Sequence, residues 1–182
     1  GSGTFTALRL PYPIRGGTSP SWSQIVLDAG HVPTYDFLTI QECAADEATT
    51  RALSMRPGSP VVHIERVGLV DGQVATRQSM RFDSTVFGAA VPEQVYQLLT
   101  EQPSTTSLLA DHFGVKLERW ATRAELQPIS IEAGADLQLT GRPMAWRTET
   151  VNRCRRTLRP VEHTTAWPPA DNFHVLLHLG PA

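Results

Sequence analysis

The sequence has few of the features that mark several large classes of protein. It contains two cysteines, Cys43 and Cys154, too few for a disulfide scaffold and without metal-ligand spacing, so a reducing cytoplasm is the expected location. No apolar run is long enough to cross a membrane, and we expect no signal peptide. The net charge is −2, and no run is rich in lysine and arginine. Binding the phosphate backbone of a nucleic acid requires a concentrated basic face. We therefore expect that this chain does not itself bind nucleic acid.

Motifs of common enzymes and cofactor sites are also missing. The six histidines show no paired spacing on a predicted helix that would suit a metal. There is no nucleophile elbow, no phosphate-binding P-loop and no dinucleotide fingerprint, so no cofactor is expected. Cys154 lies among arginines that favour a thiolate, but a solvated hairpin tip is the preferred interpretation of that segment.

Length and composition favour one α+β domain. A chain of 182 residues with 41% hydrophobic and 19% charged residues is ordinary for a globular domain with a sizeable core. Residues 1–14 are interpreted as a tag or linker, with a possible edge strand at Phe5–Leu10 that Pro11 and Pro13 would break. The opening Gly-Ser-Gly resembles an expression scar, and together with the missing initiator Met it suggests a fragment of a longer protein. The domain itself is assigned to residues 15–182.

The segment Pro60–Phe82 predicts a β-hairpin around which the rest of the chain is organised. Two β-rich runs flank Asp71-Gly72, a dipeptide that tolerates positive φ at both positions and favours a two-residue turn. Apolar and charged residues mix on the first strand. That strand is therefore expected to be part core and part functional site.

An imperfect internal repeat surrounds this hairpin. In the first copy a strand at Phe37–Cys43 leads to a helix opened by Asp46, then to the hairpin; in the second, a strand at Ala121–Gln127 leads to a helix opened by Ser130, then to strands at 145–151 and 160–167. Asp and Ser are good N-caps because their side-chain oxygens accept from free helix amides. Chance similarity of two short units is the alternative. The preferred interpretation is a duplicated α+β unit whose hairpins join one antiparallel sheet.

Two groups of polar residues suggest where a ligand would bind. A loop at Arg15–Ser23, rich in glycine and hydroxyl residues, leads into a short helix and offers amides and hydroxyls to an anion, although taken alone an ordinary helix cap is the preferred interpretation. Charged and hydroxyl residues also lie within predicted strands, where they are normally depleted, which indicates a solvent face or a polar pocket. These are Arg66, Arg81, Arg123, Glu125, Glu162 and Thr164.

The order of short motifs resembles the UTRA domain. The motifs are Gly-Ser-Pro-Val, Ile-Glu-Arg and Asp-Gly in the first half, then Thr-Ser-Leu-Leu, Thr-Arg-Ala-Glu, Arg-Pro and Arg-Pro-Val-Glu in the second. UTRA is the effector-binding domain of the HutC subfamily of GntR transcription regulators. The resemblance covers about Arg15 to Leu179 and is nearest to the branch that controls phosphonate utilisation.

The resemblance implies a chorismate-lyase-like fold, a small-molecule pocket, homodimerisation, and a DNA-binding winged helix-turn-helix outside this chain. The anion-holding loop of the family corresponds to Thr18–Ser23, and effector-facing strand residues correspond to Arg66 and Gln78. The motifs at Thr122–Glu125 and Pro160–Glu162 also match the phosphonate branch. The ligand-binding candidates are Ser21, Trp22, Ser23, Arg66, Gln78, Arg123, Glu125, Glu162, Thr164 and Trp167.

Three departures from the family pattern remove positive charge. Two positions that usually carry arginine in the family are occupied here by Ser21 and Gly68. A later segment that is rich in arginine in the family corresponds here to Ala166–Asn172, which contains no arginine. Loss of these cations argues against a doubly charged phosphonate. It favours a less charged or partly aromatic ligand, stacked on Trp22 or Trp167.

Two functions follow from this sequence. The first is a ligand-sensing domain of a cytoplasmic repressor, with a phosphonate, sugar phosphate or carboxylate-like effector. The second is a lyase-like enzyme of the same fold that uses Arg and Glu on a small dicarboxylate such as chorismate. The lack of an identifiable acid/base pair favours the sensor. In either case Arg66, Arg123 and Glu162 are expected to face one cavity, with Ser21 and Ser23 at one end.

Overall fold

A computed structural model describes residues 10–14, 20–139 and 143–177 of the chain. Five short helices occur in this part: α1 (Trp22–Asp28), α2 (Glu47–Leu53), α3 (Pro92–Glu101), α4 (Thr105–Asp111) and α5 (Ile131–Asp136). The strands are β1 (Leu10–Ile14), β2 (Pro33–Ala44), β3 (Pro60–Val70), β4 (Gln73–Asp83), β5 (Leu117–Pro128), β6 (Met144–Cys154), β7 (Pro160–Trp167) and β8 (Phe173–Leu177). None of the described helices is both long and apolar enough to span a membrane.

Six strands form one antiparallel sheet in the order β2-β3-β4-β7-β6-β5. The remaining strands, β1 and β8, pair in parallel as a separate two-stranded sheet. A mixture of one antiparallel sheet and short helices confirms the predicted α+β class.

The central hairpin is formed by β3 and β4, as predicted. Asp71 and Gly72 both have positive φ, at 50° and 79°, which is the geometry of a two-residue turn that matches the twist of the strands. The Asp71 carboxylate also accepts hydrogen bonds from the Val32 amide at 2.9 Å and the His31 ring at 2.6 Å. The turn therefore anchors the segment that precedes β2.

The internal repeat is visible in the sheet. The first half runs β2-α2-β3-β4 and the second runs β5-α5-β6-β7, and the two meet where β4 pairs with β7. Both predicted caps are present: Asp46 accepts from the Thr49 amide at 2.7 Å, and Ser130 accepts from the Ala133 amide at 3.2 Å. The sheet is thus built from two similar units related by an approximate two-fold axis at its centre.

The largest apolar cluster lies between one face of the sheet and helices α3 and α4. Its members come from β3, β4 and the two helices, with rings that meet edge to face, such as Phe82 and Phe87 at 5.5 Å between centroids. The fully buried side chains here include Ile64, Phe82, Val95, Leu99, Leu108 and Leu109. This core holds the central strands in place and leaves the neighbouring part of the same face free for polar side chains.

The expected break at Pro11 and Pro13 is wrong, because both prolines lie inside strand β1. Proline cannot donate to a ladder, but it is tolerated in an edge strand, and both strands of a two-stranded sheet are edges. Leu10 and Tyr12 are buried there against Trp22 and Phe173. Of the expected strand Phe5–Leu10, only Leu10 lies within the described residues.

Candidate functional site

A cavity of about 100 Å³ opens on the same face of the sheet as the apolar core. Its floor consists of side chains from β3, β4, β7, β6 and β5, and its walls come from β1, the start of α1 and the start of α4. Because side chains alternate between the faces of a strand, residues paired in register share this floor. The polar floor residues are Arg66, Gln78, Arg119, Thr150, Asn152, Glu162 and Thr164.

Arg66 is the most buried cation of the cavity, with 4% of its surface exposed. Its Nε donates to the Gln78 side-chain oxygen at 2.8 Å, and its Nη1 donates to the Pro103 carbonyl at 2.8 Å. The guanidinium carbon lies 3.8 Å from the centroid of the Tyr35 ring. Burial lowers the pKa of Arg66, and the Tyr35 and Glu162 side chains oppose that shift. An arginine remains charged under these conditions, so the cavity contains a fixed positive charge.

Glu162 is the corresponding buried anion, with 5% of its surface exposed. One carboxylate oxygen accepts from the Asn152 amide at 2.8 Å, and the other accepts from the Thr164 hydroxyl at 2.6 Å. Asn152 lies opposite Glu162 on β6, and Thr164 follows it by two residues on β7, so all three face the cavity. Two neutral donors thus fix the carboxylate against the floor.

The start of α1 forms one wall. Ser21 caps the helix by accepting from the Gln24 amide at 3.2 Å, and the Ser23 hydroxyl lies 2.6 Å from the Tyr35 hydroxyl. Trp22 is 8% exposed and its ring centroid is 5.2 Å from that of Tyr35. All three α1 residues line the cavity, as predicted, while the preceding loop residues 15–19 lie outside the described residues.

The geometry explains one departure from the family pattern. A Cβ atom added to Gly68 would lie 2.8 Å from Cη2 of Trp22 and 2.9 Å from Cγ2 of Thr76, which is closer than such atoms approach. The indole therefore occupies the space where a side chain at position 68 would begin. The Trp22 ring and the Thr76 side chain therefore leave no room for a side chain at position 68.

We expect Gly68→Ala to destabilise the domain by about 1–3 kcal/mol, because overpacking forces side chains or backbone to move. Urea unfolding would measure the loss, and the same change in a Trp22→Leu background should cost less, since the ring is gone and only the close contact with Thr76 remains. Gly134→Ala is a matched control, because its added Cβ would make an ordinary contact of 3.5 Å with Ile129. Equal stability of Gly68→Ala and the parent would contradict the packing argument.

Arg123 and Glu125 do not share the cavity, contrary to expectation. A bulge between Arg119 and Ala121 places Trp120 outside the pairing, so the alternation of faces shifts by one residue. Arg119 consequently lines the cavity, whereas the Arg123 side chain lies on the other face, 71% exposed and paired with Glu125. Without the bulge, Arg119 and Arg123 would face the same side.

Trp167 also lies outside the cavity. It packs against the cluster of Ile129, Ala133, Leu137 and Ala145, and the Arg77 guanidinium is 5.5 Å from its ring centroid. Of the two tryptophans expected to stack on an aromatic ligand, only Trp22 lines the cavity. The candidates that the structure brings together are Ser21, Trp22, Ser23, Arg66, Gln78, Glu162 and Thr164.

Arg119 is a cavity residue that the sequence reasoning did not select. Its Nη1 donates to the Pro13 carbonyl at 3.1 Å, and its buried Nε has no hydrogen-bond partner among the described residues. The alternation of side chains between the two faces of β5 places Arg119 at the cavity only when the bulge after it is taken into account. Tyr12, on the β1 strand that Arg119 contacts, also lines the cavity.

The opposite face of the sheet contains a separate polar cluster under α2. The His63 ring lies 2.9 Å from the Ser79 hydroxyl, and His163 bridges Thr49 at 3.2 Å and Glu149 at 2.9 Å. Burial, followed by Arg81, lowers the pKa of His63, although nearby carboxylates oppose that shift. The contact between Thr49 and His163 joins α2 to the sheet, and none of these residues lines the cavity.

The six-stranded antiparallel sheet, with a polar cavity enclosed by β1, the start of α1 and the start of α4, defines an α+β domain with a concave site. The chain belongs to the UTRA domain family, whose sequence profile matches residues 28–174. No curated protein sequence matches it. Family membership supports a ligand-sensing regulatory domain.

Solved structures share the fold at low sequence identity. The effector domain of PhnF from Mycobacterium smegmatis is 16% identical with a TM-score of 0.71, covering 94% of this chain and 100% of that chain. The C-terminal domain of YurK from Bacillus subtilis is 13% identical with a TM-score of 0.67, covering 78% of this chain and 94% of that chain. A GntR-family transcriptional regulator from Enterococcus faecalis is 12% identical with a TM-score of 0.68, covering 80% of this chain and 99% of that chain. These similarities show that the chain shares its fold with domains of transcriptional regulators.

Proposed function

We propose that this chain is the effector-sensing domain of a GntR-family regulator of the HutC subfamily. In this proposal a small anionic or polar molecule binds in the cavity and controls DNA binding by a winged helix-turn-helix outside the chain. The observation that carries the proposal is Arg66, a cation that is buried beside an open cavity and forms no salt bridge with a described carboxylate.

The surroundings of Arg66 suit recognition of an anion. Gln78 and the Pro103 carbonyl fix two edges of the guanidinium, and Tyr35 covers one of its faces. A planar guanidinium held in this way has lost most of its conformational freedom before the ligand arrives, which lowers the entropic cost of binding. The hydroxyls of Ser21 and Ser23 add neutral hydrogen-bonding groups at the α1 wall.

Thermal unfolding with a panel of anions tests the proposal. The panel contains phosphate, methylphosphonate, a hexose phosphate and short dicarboxylates, together with acids that also have an amine, such as aminoethylphosphonate and γ-aminobutyrate. A ligand present at about 100 times its dissociation constant stabilises the folded state by roughly 2.7 kcal/mol, so a rise in Tm of about 5–10 °C is expected for those that fit. If no anion raises the Tm at millimolar concentration, the assignment of the cavity as an anion site is wrong. Turnover of chorismate by the purified domain would instead favour the lyase alternative.

The same proposal includes a symmetric homodimer that acts as a repressor in the cytoplasm. A two-fold assembly is the commonest arrangement for such domains, because one self-complementary patch is enough to form it. Light scattering at high micromolar concentration should give about twice the 20.0 kDa of one chain. A mass of one chain under those conditions would contradict the dimer while leaving the cavity assignment intact.

A further inference from the structure

We propose that the effector is a zwitterion, with an acid group bound at Arg66 and a cationic nitrogen bound at Glu162. The inference rests on the proposed function, since it concerns the ligand of the same cavity. Its basis is that two opposite charges are buried in one cavity, neither paired with a described residue of opposite charge.

Buried charges require compensation. Lys, Arg, Asp and Glu are almost never fully buried unless they are paired, because transfer of an ion out of water costs several kcal/mol. Arg66 contacts one amide oxygen, one carbonyl and one aromatic ring, all neutral. Glu162 accepts from one amide and one hydroxyl, also neutral. Each side chain is oriented by neutral neighbours and forms no salt bridge with a described residue.

The other charged residues at the cavity do not form salt bridges with Arg66 or Glu162. Glu118 is already paired, since it accepts from Arg153 at 2.5 Å and lies 3.7 Å from Arg155. Arg119 donates to the Pro13 carbonyl and forms no ion pair with Glu162. A ligand with one charge of each sign would therefore satisfy both buried charges.

Glu162 would also act against simple anions. A ligand with only an acid group brings a second negative charge into a small cavity where the Glu162 carboxylate is fixed, and like charges in a partly dry site repel strongly. A ligand with an ammonium group turns this repulsion into attraction. Glu162 is thus expected to determine specificity by rejecting anions that lack a cationic nitrogen.

The sheet register gives the direction of the ligand. Arg66 pairs with Gln78, and Gln78 pairs with Ala166, which lies on the same strand as Glu162. The two charged residues are two strands apart and separated by four positions along β7, so their backbone positions are roughly 16 Å apart. The ligand would lie diagonally across β4, over Met80 and beside the Thr164 hydroxyl.

Calorimetry with matched ligand pairs tests the proposal on the whole domain. Each pair keeps the acid group and chain length and differs only in the amine: propionate and β-alanine, butyrate and γ-aminobutyrate, caproate and ε-aminocaproate, ethylphosphonate and aminoethylphosphonate. At the length that fits, the amine should tighten binding at least about 10-fold, as expected for a charge-assisted hydrogen bond. N-acetylation, which removes the charge, should abolish the gain in the unaltered protein.

Variants then assign the gain to one residue. Glu162→Gln keeps the size of the side chain and should make each amine and its matched acid bind about equally well. Glu125→Gln, on the opposite face, should leave the gain unchanged. The proposal fails if the amine gives no gain at any length, or if Glu162→Gln preserves the gain. Acids that bind as tightly as their amine partners and depend on Arg66 would overturn the zwitterion while retaining the proposed function; no binding by any member of the series would overturn both.

Discussion

Affinity for an anionic effector is expected to fall about 10- to 100-fold when Arg66 is replaced by alanine. Each charge-assisted hydrogen bond from a partly buried guanidinium contributes roughly 1.5–3 kcal/mol, and alanine supplies neither charge nor donor. Calorimetry with whichever anion of the panel raises the Tm would measure the loss. Arg66→Lys should recover only part of it, because an ammonium cannot form the two parallel hydrogen bonds of a guanidinium.

The matched control is Arg123→Ala. Arg123 is also a strand arginine of the same sheet, but it lies on the opposite face and its side chain is 71% exposed. Its replacement should change neither the affinity nor the free energy of unfolding beyond about 0.5 kcal/mol. Equal affinity of the Arg66 variant and the Arg123 variant would remove Arg66 from the binding site.

Phe82→Ala should lower the free energy of unfolding by about 3–5 kcal/mol, the largest single effect on stability that we expect. Phe82 has 0% exposure, and its ring meets Phe87 edge to face between the sheet and the helices above it. Truncation leaves a cavity that rigid neighbours cannot fill. Urea unfolding would measure the loss.

An aromatic residue at the edge of the same packing provides the comparison. Tyr96 touches Phe37 at 6.1 Å between centroids but is 48% exposed, so Tyr96→Ala should cost much less. A loss below about 1 kcal/mol for Phe82→Ala would show that the sheet and helices rearrange around position 82 instead of holding it rigidly.

Local signals in the sequence predicted much of the fold. The Asp71-Gly72 turn, the Asp46 and Ser130 caps and the two similar units depend on a few neighbouring residues, and the structure contains all of them. The cavity positions of Arg66 and Glu162 were also predicted, because they lie on regularly alternating strands that were recognised correctly.

The features that were not predicted depend on contacts between distant residues, which local sequence patterns do not reveal. A single extra residue, Trp120, reverses the faces of everything after it on β5, and for that reason Arg119 replaces Arg123 at the cavity. No turn residue or proline marks this bulge. The proline-containing strand β1 was similarly missed, since its existence depends on pairing with β8 near the other end of the chain.

The pairing of β1 with β8 has a consequence for how the domain reaches its native state. Hairpins β3–β4 and β6–β7 close short loops, whereas the β1–β8 pair joins segments from the two ends of the described chain. Contacts between distant segments pay the largest loop-closure entropy, so they are expected late on the folding pathway. Tyr12 of β1 is part of the cavity wall, and the cavity is therefore expected to be among the last features to form. A ligand that binds only the finished cavity would then slow unfolding while leaving the rate of hairpin formation, and of folding itself, unchanged.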